Sequence, residues 1–191
     1  TLAQPDSAWE AAGPLTTLGA ALAVAQSLES LYGLRPRIKW PNDVRVGGRK
    51  MCGVLVERAS GPAGAALLIG IGVNVNHSEA SFPEELRSQA TSIAIELGRT
   101  VSRADLLAAV VSSLEGVRKQ AIRKGSGSLM SALERRLDLI GNLVRIEQEH
   151  GRPIEGVAQG VDGDGGLVIR QSGGSQIKVF AGSLIELRNG R

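Results

Sequence analysis

From Ile69 to Asn76 the chain reads Ile-Gly-Ile-Gly-Val-Asn-Val-Asn, a strict two-residue alternation. A strand turns successive residues to opposite faces, so Ile69, Ile71, Val73 and Val75 form a core face and Gly70, Gly72, Asn74 and Asn76 the other. That second face is a bare floor ending in two amides. A flat ligand fits such a floor, with Asn74 as its hydrogen-bonding group, and so does a helix packed closely over the glycines. The periodicity alone favours the helix.

The rest of the chain supplies what a sheet needs to be covered. Leu15, Leu18, Leu22, Ala25, Leu28 and Leu31 recur at spacings of three and four over residues 15–32, with Gly33 as a stop, which predicts an amphipathic helix over one sheet face. Further strands are predicted at Arg37–Trp40, Val44–Val46, Lys50–Arg58 and Ala65–Asn76, with Gly47-Gly48 as a two-residue hairpin loop. Two more apolar stripes follow: Leu106, Leu107, Val110, Val111, Leu114 and Val117 on a helix begun near Ser102, and Leu129, Leu133, Leu137 and Ile140 on one begun near Ser126. After Gly141 the texture changes, because 11 of the 25 glycines fall in the last 51 residues. Five short strands, Leu143–Gln148, Ile154–Gln159, Leu167–Arg170, Gln176–Phe180 and Leu184–Leu187, suggest a small barrel. The boundary is placed near Ile140–Asn142, giving segments 1–140 and 141–191. The expected fold class is α/β (α+β): a mixed β-sheet domain flanked by helices, then the barrel.

Composition removes several classes of function. Cys52 is the one cysteine and His77 and His150 the two histidines, so neither a disulfide scaffold nor a structural zinc cluster is available. No stretch reaches the length of a spanning helix, and Thr1–Asp6 has no signal-peptide character; the chain reads as cytoplasmic. It lacks a Gly-Lys pair and hence a P-loop, Gly70-Ile71-Gly72 reaches Val75 instead of a third dinucleotide-fingerprint glycine, and neither Gly-x-Ser-x-Gly nor His-Glu-x-x-His occurs.

The net charge of +3 sits wholly on residues 1–140, since residues 141–191 hold six basic and six acidic side chains. Within it, residues 35–58 carry Arg35, Arg37, Lys39, Arg45, Arg49, Lys50 and Arg58 against Asp43 and Glu57, a local excess of five positive charges. Such a window either solvates a surface or receives an anion. Pro41 biases Trp40 to extended geometry and sets a turn that presents Asn42 and Asp43 at a strand corner. With Gly47-Gly48 as the loop, Arg45 faces Lys50 and Val46 faces Arg49. Directly opposed like charges are unfavourable unless an anion lies near them or both splay into solvent, and either arrangement satisfies the sequence. Gly53 interrupts an apolar strand, the mark of a bulge or a close backbone approach.

Lys39-Trp40-Pro41-Asn42-Asp43, Arg49-Lys50-x-x-Gly53-Val54-Leu55-x-Glu57 and Gly70-x-Gly72-Val73-Asn74-x-Asn76 resemble, in order and spacing, the catalytic motifs of biotin protein ligases. Phe82-Pro83-Glu84-Glu85-Leu86 and Ala90-Thr91-Ser92 are similar to the segment that follows in bacterial members, and the glycine-rich end resembles their SH3-like C-terminal barrel. The resemblance implies ATP-dependent activation of biotin to biotinyl-5′-adenylate with release of pyrophosphate, then transfer to a lysine of a carboxylase's biotin carboxyl carrier domain, with Mg²⁺ assisting.

On that resemblance Lys50, Asp43 and Asn42 are the expected catalytic residues. Lys50 would contact the biotin carboxylate and the phosphate, and Asp43 would hold or deprotonate the acceptor amine or bind the metal. Lys39, Trp40, Lys50, Gly53, Val54, Leu55, Gly70, Gly72, Val73 and Asn74 would bind the substrates, Asn74 facing the nucleotide. Residues 1–140 would be the C-terminal portion of the catalytic domain. Family members carry an upstream Gly-Arg-Gly-Arg-x-Gly-Arg-type loop over biotin and the adenylate. Here Gly-Arg pairs occur singly, at Gly48-Arg49, Gly98-Arg99, Gly151-Arg152 and Gly190-Arg191. The chain is therefore expected to lack the front of that domain, which leaves open whether it reacts alone.

Two other classes stand beside this one. The basic window and small barrel suit a nucleic-acid or protein interaction module, although aromatic residues are 3% of the chain, too few for a stacking platform; DNA binding is not supported. Lipoate ligases perform the same acyl-adenylate chemistry on another acid. Oligomeric state stays open, with sheet-edge pairing into a homodimer as one arrangement.

Overall fold

The long hairpin β4 (Arg49–Gly61) and β5 (Gly64–Val73) is the centre of a five-stranded sheet ordered β1-β5-β4-β3-β2, with β2 at Arg37–Lys39 and β3 at Asp43–Val46. The computed structural model describes residues 2–5, 14–61, 64–149 and 151–187; His150, Thr1, Asp6 and Gly190-Arg191 lie outside them. The outer strand β1 (Leu2–Pro5) pairs with β5 and has no counterpart in the sequence reading; its proline suits an edge position. Every ladder among the described strands is antiparallel. The mixed character expected of the sheet is confined to two single parallel bridges, Ile38 to Leu137 and Lys50 to Ala90.

Helix α1 (Pro14–Tyr32) packs on one face of this sheet, and α3 (Arg103–Lys124) and α4 (Gly127–Glu134) pack on α1. Sandwiched in this way, α1 is not amphipathic in its middle: Ala20, Ala21, Leu22, Ala23, Val24 and Ala25 are all buried, and small residues let both layers approach. The short α2 (Ile93–Leu97) starts at Ser92, whose Oγ accepts from Ile95 N, and α3 starts at Ser102, whose Oγ accepts from Asp105 N. Of the predicted α3 stripe, Leu106, Val110, Leu114 and Val117 are buried while Leu107 and Val111 are exposed. The following helix is shorter than its stripe. It ends at Glu134, and residues 136–138 run beside β2, with Ile38 N donating to Arg136 O, so Leu137 and Leu139 are buried and Ile140 is exposed.

The second sheet, β6 (Leu143–Glu147), β7 (Ile154–Val161), β8 (Leu167–Arg170), β9 (Gln176–Val179) and β10 (Ser183–Glu186), has the order β10-β6-β7-β8-β9. It meets the first at the β2–β3 hairpin. The Trp40 indole, 1% exposed, donates to Gly165 O at 3.2 Å, and Arg45 reaches Glu186 at 3.9 Å. Gly165 has φ +83°, and a Cβ there would collide with the backbone of Leu15 and Pro14.

The strand pairing between β3 and β4 slips by one residue: Arg45 faces Lys50 and Val46 faces Arg49 as predicted, but Val44 faces Cys52 and Asp43 faces Gly53, leaving Met51 unpaired. The bulge places two consecutive side chains, Met51 and Cys52, in the core.

Burial pushes the Cys52 thiol up to about 12. At pH 8.5 it should therefore resist iodoacetamide in the folded chain and react promptly after denaturation, as intact mass would report. Gly165→Ala adds strain at positive φ and a backbone clash. It should cost about 3 kcal/mol and lower Tm by roughly 6–12 °C. Gly173→Ala, where the space is open, should leave the calorimetric Tm unchanged.

Candidate functional site

Directly opposed residues of a sheet share a face, and the observed registers string Lys39, Asp43, Gly53 and Gly72 into one row across four strands. Leu55 opposite Gly70 forms the next row. This face points away from α1. Leu55 is 60% exposed, and among the described residues no helix lies over Gly70 and Gly72: their nearest neighbours are backbone oxygens and the Leu55 Cβ of the adjacent strand. The open-floor alternative for the glycines is therefore the one observed, and the packed helix is not.

The bulge brings Lys50 onto this face. Lys50 and Gly53 are three residues apart and would diverge in a regular strand. With Met51 bulged, the Lys50 side chain lies over Gly53, so that a Cβ on Gly53 would sit 3.3 Å from Nζ and 3.4 Å from Cε. Glycine here is a requirement of close approach rather than of dihedral angle. The Lys50 ammonium is 2.6 Å from Asp43 Oδ1, a contact of charges not aligned as a hydrogen bond, and the lysine side chain remains 49% exposed. Each of the two opposed cations lies beside an acid, and Lys50 does so while half exposed. Lys50 is neutralised by Asp43, Arg45 by Glu186, and Arg49 by Glu96 at 2.8 Å. Arg37 donates to the carbonyls of Arg135 and Leu137.

Several expected site residues have other employment. Asn42 donates from Nδ2 to Val54 O at 3.0 Å while its backbone carbonyl accepts from Val54 N, so it locks the corner to β4. Trp40 is buried against the barrel and does not reach the floor. Val54 and Val73 face the helix layer, opposite to Gly53 and Gly72, so their side chains are not part of the floor. Asn74 donates to Thr91 O and Asn76 exchanges two hydrogen bonds with Val101, so both amides tie loops down. Lys39 stays in the row beside Asp43, its pKa lowered by burial and by Arg45. At the barrel junction burial raises the Asp138 pKa, with Glu186 adding to it.

Among the described residues no three His, Cys, Asp or Glu side chains converge to hold a metal. Asp43 would supply one ligand to Mg²⁺, an ion that commonly takes substrate phosphates and water as its other ligands.

The groups missed by sequence reasoning lie on the far side of the bulge. Lys50 N donates to Gln89 O and Thr91 N donates to Lys50 O, while Thr91 Oγ1 donates to Glu96 Oε1 at 2.6 Å. Ala90-Thr91-Ser92 is visible as a motif, but nothing in the sequence joins Glu96 to it.

Known proteins resemble this chain along most of its length. Residues 8–74 match the biotin/lipoate A/B protein ligase family, and residues 139–188 match the biotin protein ligase C-terminal domain. The bifunctional ligase/repressor BirA of Bacillus subtilis is 33% identical over 175 residues, covering 91% of this chain and 53% of that protein. The biotin--[acetyl-CoA-carboxylase] ligase of Paracoccus denitrificans is 30% identical over 162 residues, covering 83% of this chain and 67% of the relative. The structure of the Aquifex aeolicus biotin protein ligase in complex with biotin and ATP superposes with a TM-score of 0.85 at 26% identity, over 98% of this chain and 77% of that one. The chain spans about half the length of the BirA relatives it matches. With both family models matched in order along the chain and a ligase 30% identical covered over 67% of its length, the chain belongs to the biotin protein ligase family.

Proposed function

We propose that this chain carries the adenylate-forming half-site of a biotin protein ligase. Biotin would be activated with ATP to biotinyl-5′-adenylate and passed to a lysine of a biotin carboxyl carrier domain. The observation that supports this most is the Lys50 ammonium held over Gly53 at the edge of a bare glycine floor. A flat ring system resting on Gly53, Gly70 and Gly72 beside Leu55 would place a carboxylate or phosphate next to that ammonium. Two anions have to meet for the acyl-phosphate bond to form. A cation about 4 Å from them contributes up to ~4 kcal/mol at an effective dielectric near 20, and a prepositioned charge costs no reorganisation during the reaction.

Asp43 would serve twice. Without substrate it neutralises Lys50; once a substrate anion takes its place, its carboxylate is free to hold the acceptor amine and accept its proton. Mg²⁺ carried by the triphosphate would add charge neutralisation, with Asp43 as its one protein ligand. Lys39 would extend the positive edge of the row. In domain terms, residues 1–140 would be the catalytic portion and 141–191 the barrel seated on its corner. Use of ATP as substrate supports a cytoplasmic location for the reaction.

Calorimetric titration of this chain with a non-hydrolysable biotinyl-adenylate analogue tests the reading. Binding should be weakened about 30- to 1,000-fold by Lys50→Ala at unchanged Tm, and equal binding by the variant would remove Lys50 from the site. A lipoyl-adenylate analogue should fail to compete; effective competition would favour the lipoate-ligase reading.

A further inference from the structure

Lys50 lies beyond the end of β5, whose last partner on β4 is Cys52, so the outer edge of β4 at this point is held by the segment Gln89–Thr91. That segment is held in turn by one carboxylate. Glu96 Oε1 accepts from Thr91 Oγ1 at 2.6 Å and from the Arg49 guanidinium at 2.8 Å, and the Glu96 side chain is 17% exposed. The result is a closed ring: Glu96 to Arg49, the peptide bond to Lys50, Lys50 O to Thr91 N at 2.9 Å, and the Thr91 hydroxyl back to Glu96. Asn74 Nδ2 braces it at Thr91 O. Charge-assisted hydrogen bonds to a largely buried carboxylate are the strong members of such a network.

We propose that Glu96 is the positioning residue for Lys50, acting through Arg49 and Thr91 to hold the bulge in the register that lays the lysine over Gly53. The proposal rests on the reading of Lys50 as the group that meets the substrate anion. Glu96 itself touches no substrate; it fixes the backbone from which the ammonium projects, and with it the angle of approach.

Three measurements on this chain test it. In Glu96→Gln, hydrogen exchange at the Lys50 and Thr91 amides should accelerate about tenfold or more. Acetylation of the Lys50 amine relative to the exposed Lys124 should rise severalfold, and affinity for the biotinyl-adenylate analogue should fall roughly tenfold. Thr91→Val, which cuts the same ring while preserving shape at a buried position, should reproduce the pattern and stands in if Glu96→Gln does not fold. Wild-type exchange and acetylation at Lys50 in both variants would overturn the proposal. Altered exchange and acetylation with analogue affinity unchanged in Glu96→Gln and in Lys50→Ala alike would overturn the reading of Lys50 instead, leaving the mechanical link in place.

Discussion

One unpaired residue decides where the chemistry of this chain can be. Between β3 and β4 the pairing is regular up to Arg45–Lys50 and regular again from Val44–Cys52, and Met51 is the extra residue between them. Removing the slip would set Asp43 opposite Cys52 and turn Lys50 and Gly53 to opposite faces, because side-chain direction in a strand has period two. With it, the core gains two consecutive side chains, and the open face gains an ammonium, a carboxylate and a glycine in contact. A bulge costs ladder hydrogen bonds, and the lost pairing is made up from outside the sheet. Asn74 N donates to Met51 O, and Gln89 and Thr91 take both backbone groups of Lys50.

The two faces of the sheet are accordingly specialised by side-chain size. On the helix face, Val44, Cys52, Val54 and Ile69 are buried beneath α1. On the other, residues 53, 70 and 72 have no side chain, and Leu55 is an exposed apolar group beside them. The barrel does not cover this floor. It is seated on the neighbouring β2–β3 corner by the Trp40 indole, by Glu186 and by Gly165, whose missing side chain allows the barrel turn to touch the start of α1. Corner, floor and barrel thus share one short hairpin, so the orientation of Asp43 depends on packing made by residues more than 100 positions away.

Much of this was legible in the sequence. Alternation over 69–76 located the floor, the Gly47-Gly48 pair gave the hairpin and the opposition of Arg45 to Lys50, and the five barrel strands lie within a few residues of their predicted ends. The partners of several polar groups were not legible, for a common reason. Asn42, Asn74, Asn76 and Trp40 carry polar groups at positions that look free in one dimension, but a buried N–H or amide must find a partner, and each partner comes from a different part of the fold: Val54, Thr91, Val101 and Gly165. Glu96 could not be found because its importance lies in two hydrogen bonds across 47 and 5 residues, not in any local pattern. The bulge itself was signalled by Gly53, but its position requires knowing which residues stand opposite.

The cations of the basic window that lie around the floor differ in how far they are engaged. Arg49 is tied into the ring with Glu96, Arg37 is spent on backbone carbonyls, and Arg45 is drawn to Glu186 at the barrel. Lys39 is half-buried, and burial together with Arg45 works against its charge. Lys50 is different in kind. Its partner Asp43 meets it at the edge of the floor, its side chain is half exposed, and its backbone is clamped while its ammonium is not. Displacing a carboxylate from an ammonium at a half-exposed site exchanges one ion pair for another of similar strength, so an arriving anion bears little net electrostatic cost. Displacing Glu96 from Arg49 would break a hydrogen-bonded network and leave a charge with little water to solvate it. The same excess of positive charge that could have marked a nucleic-acid surface is thereby reduced by two acids from distant elements, Glu96 and Glu186, while Lys50 stays at the edge of the floor where an anion can claim it.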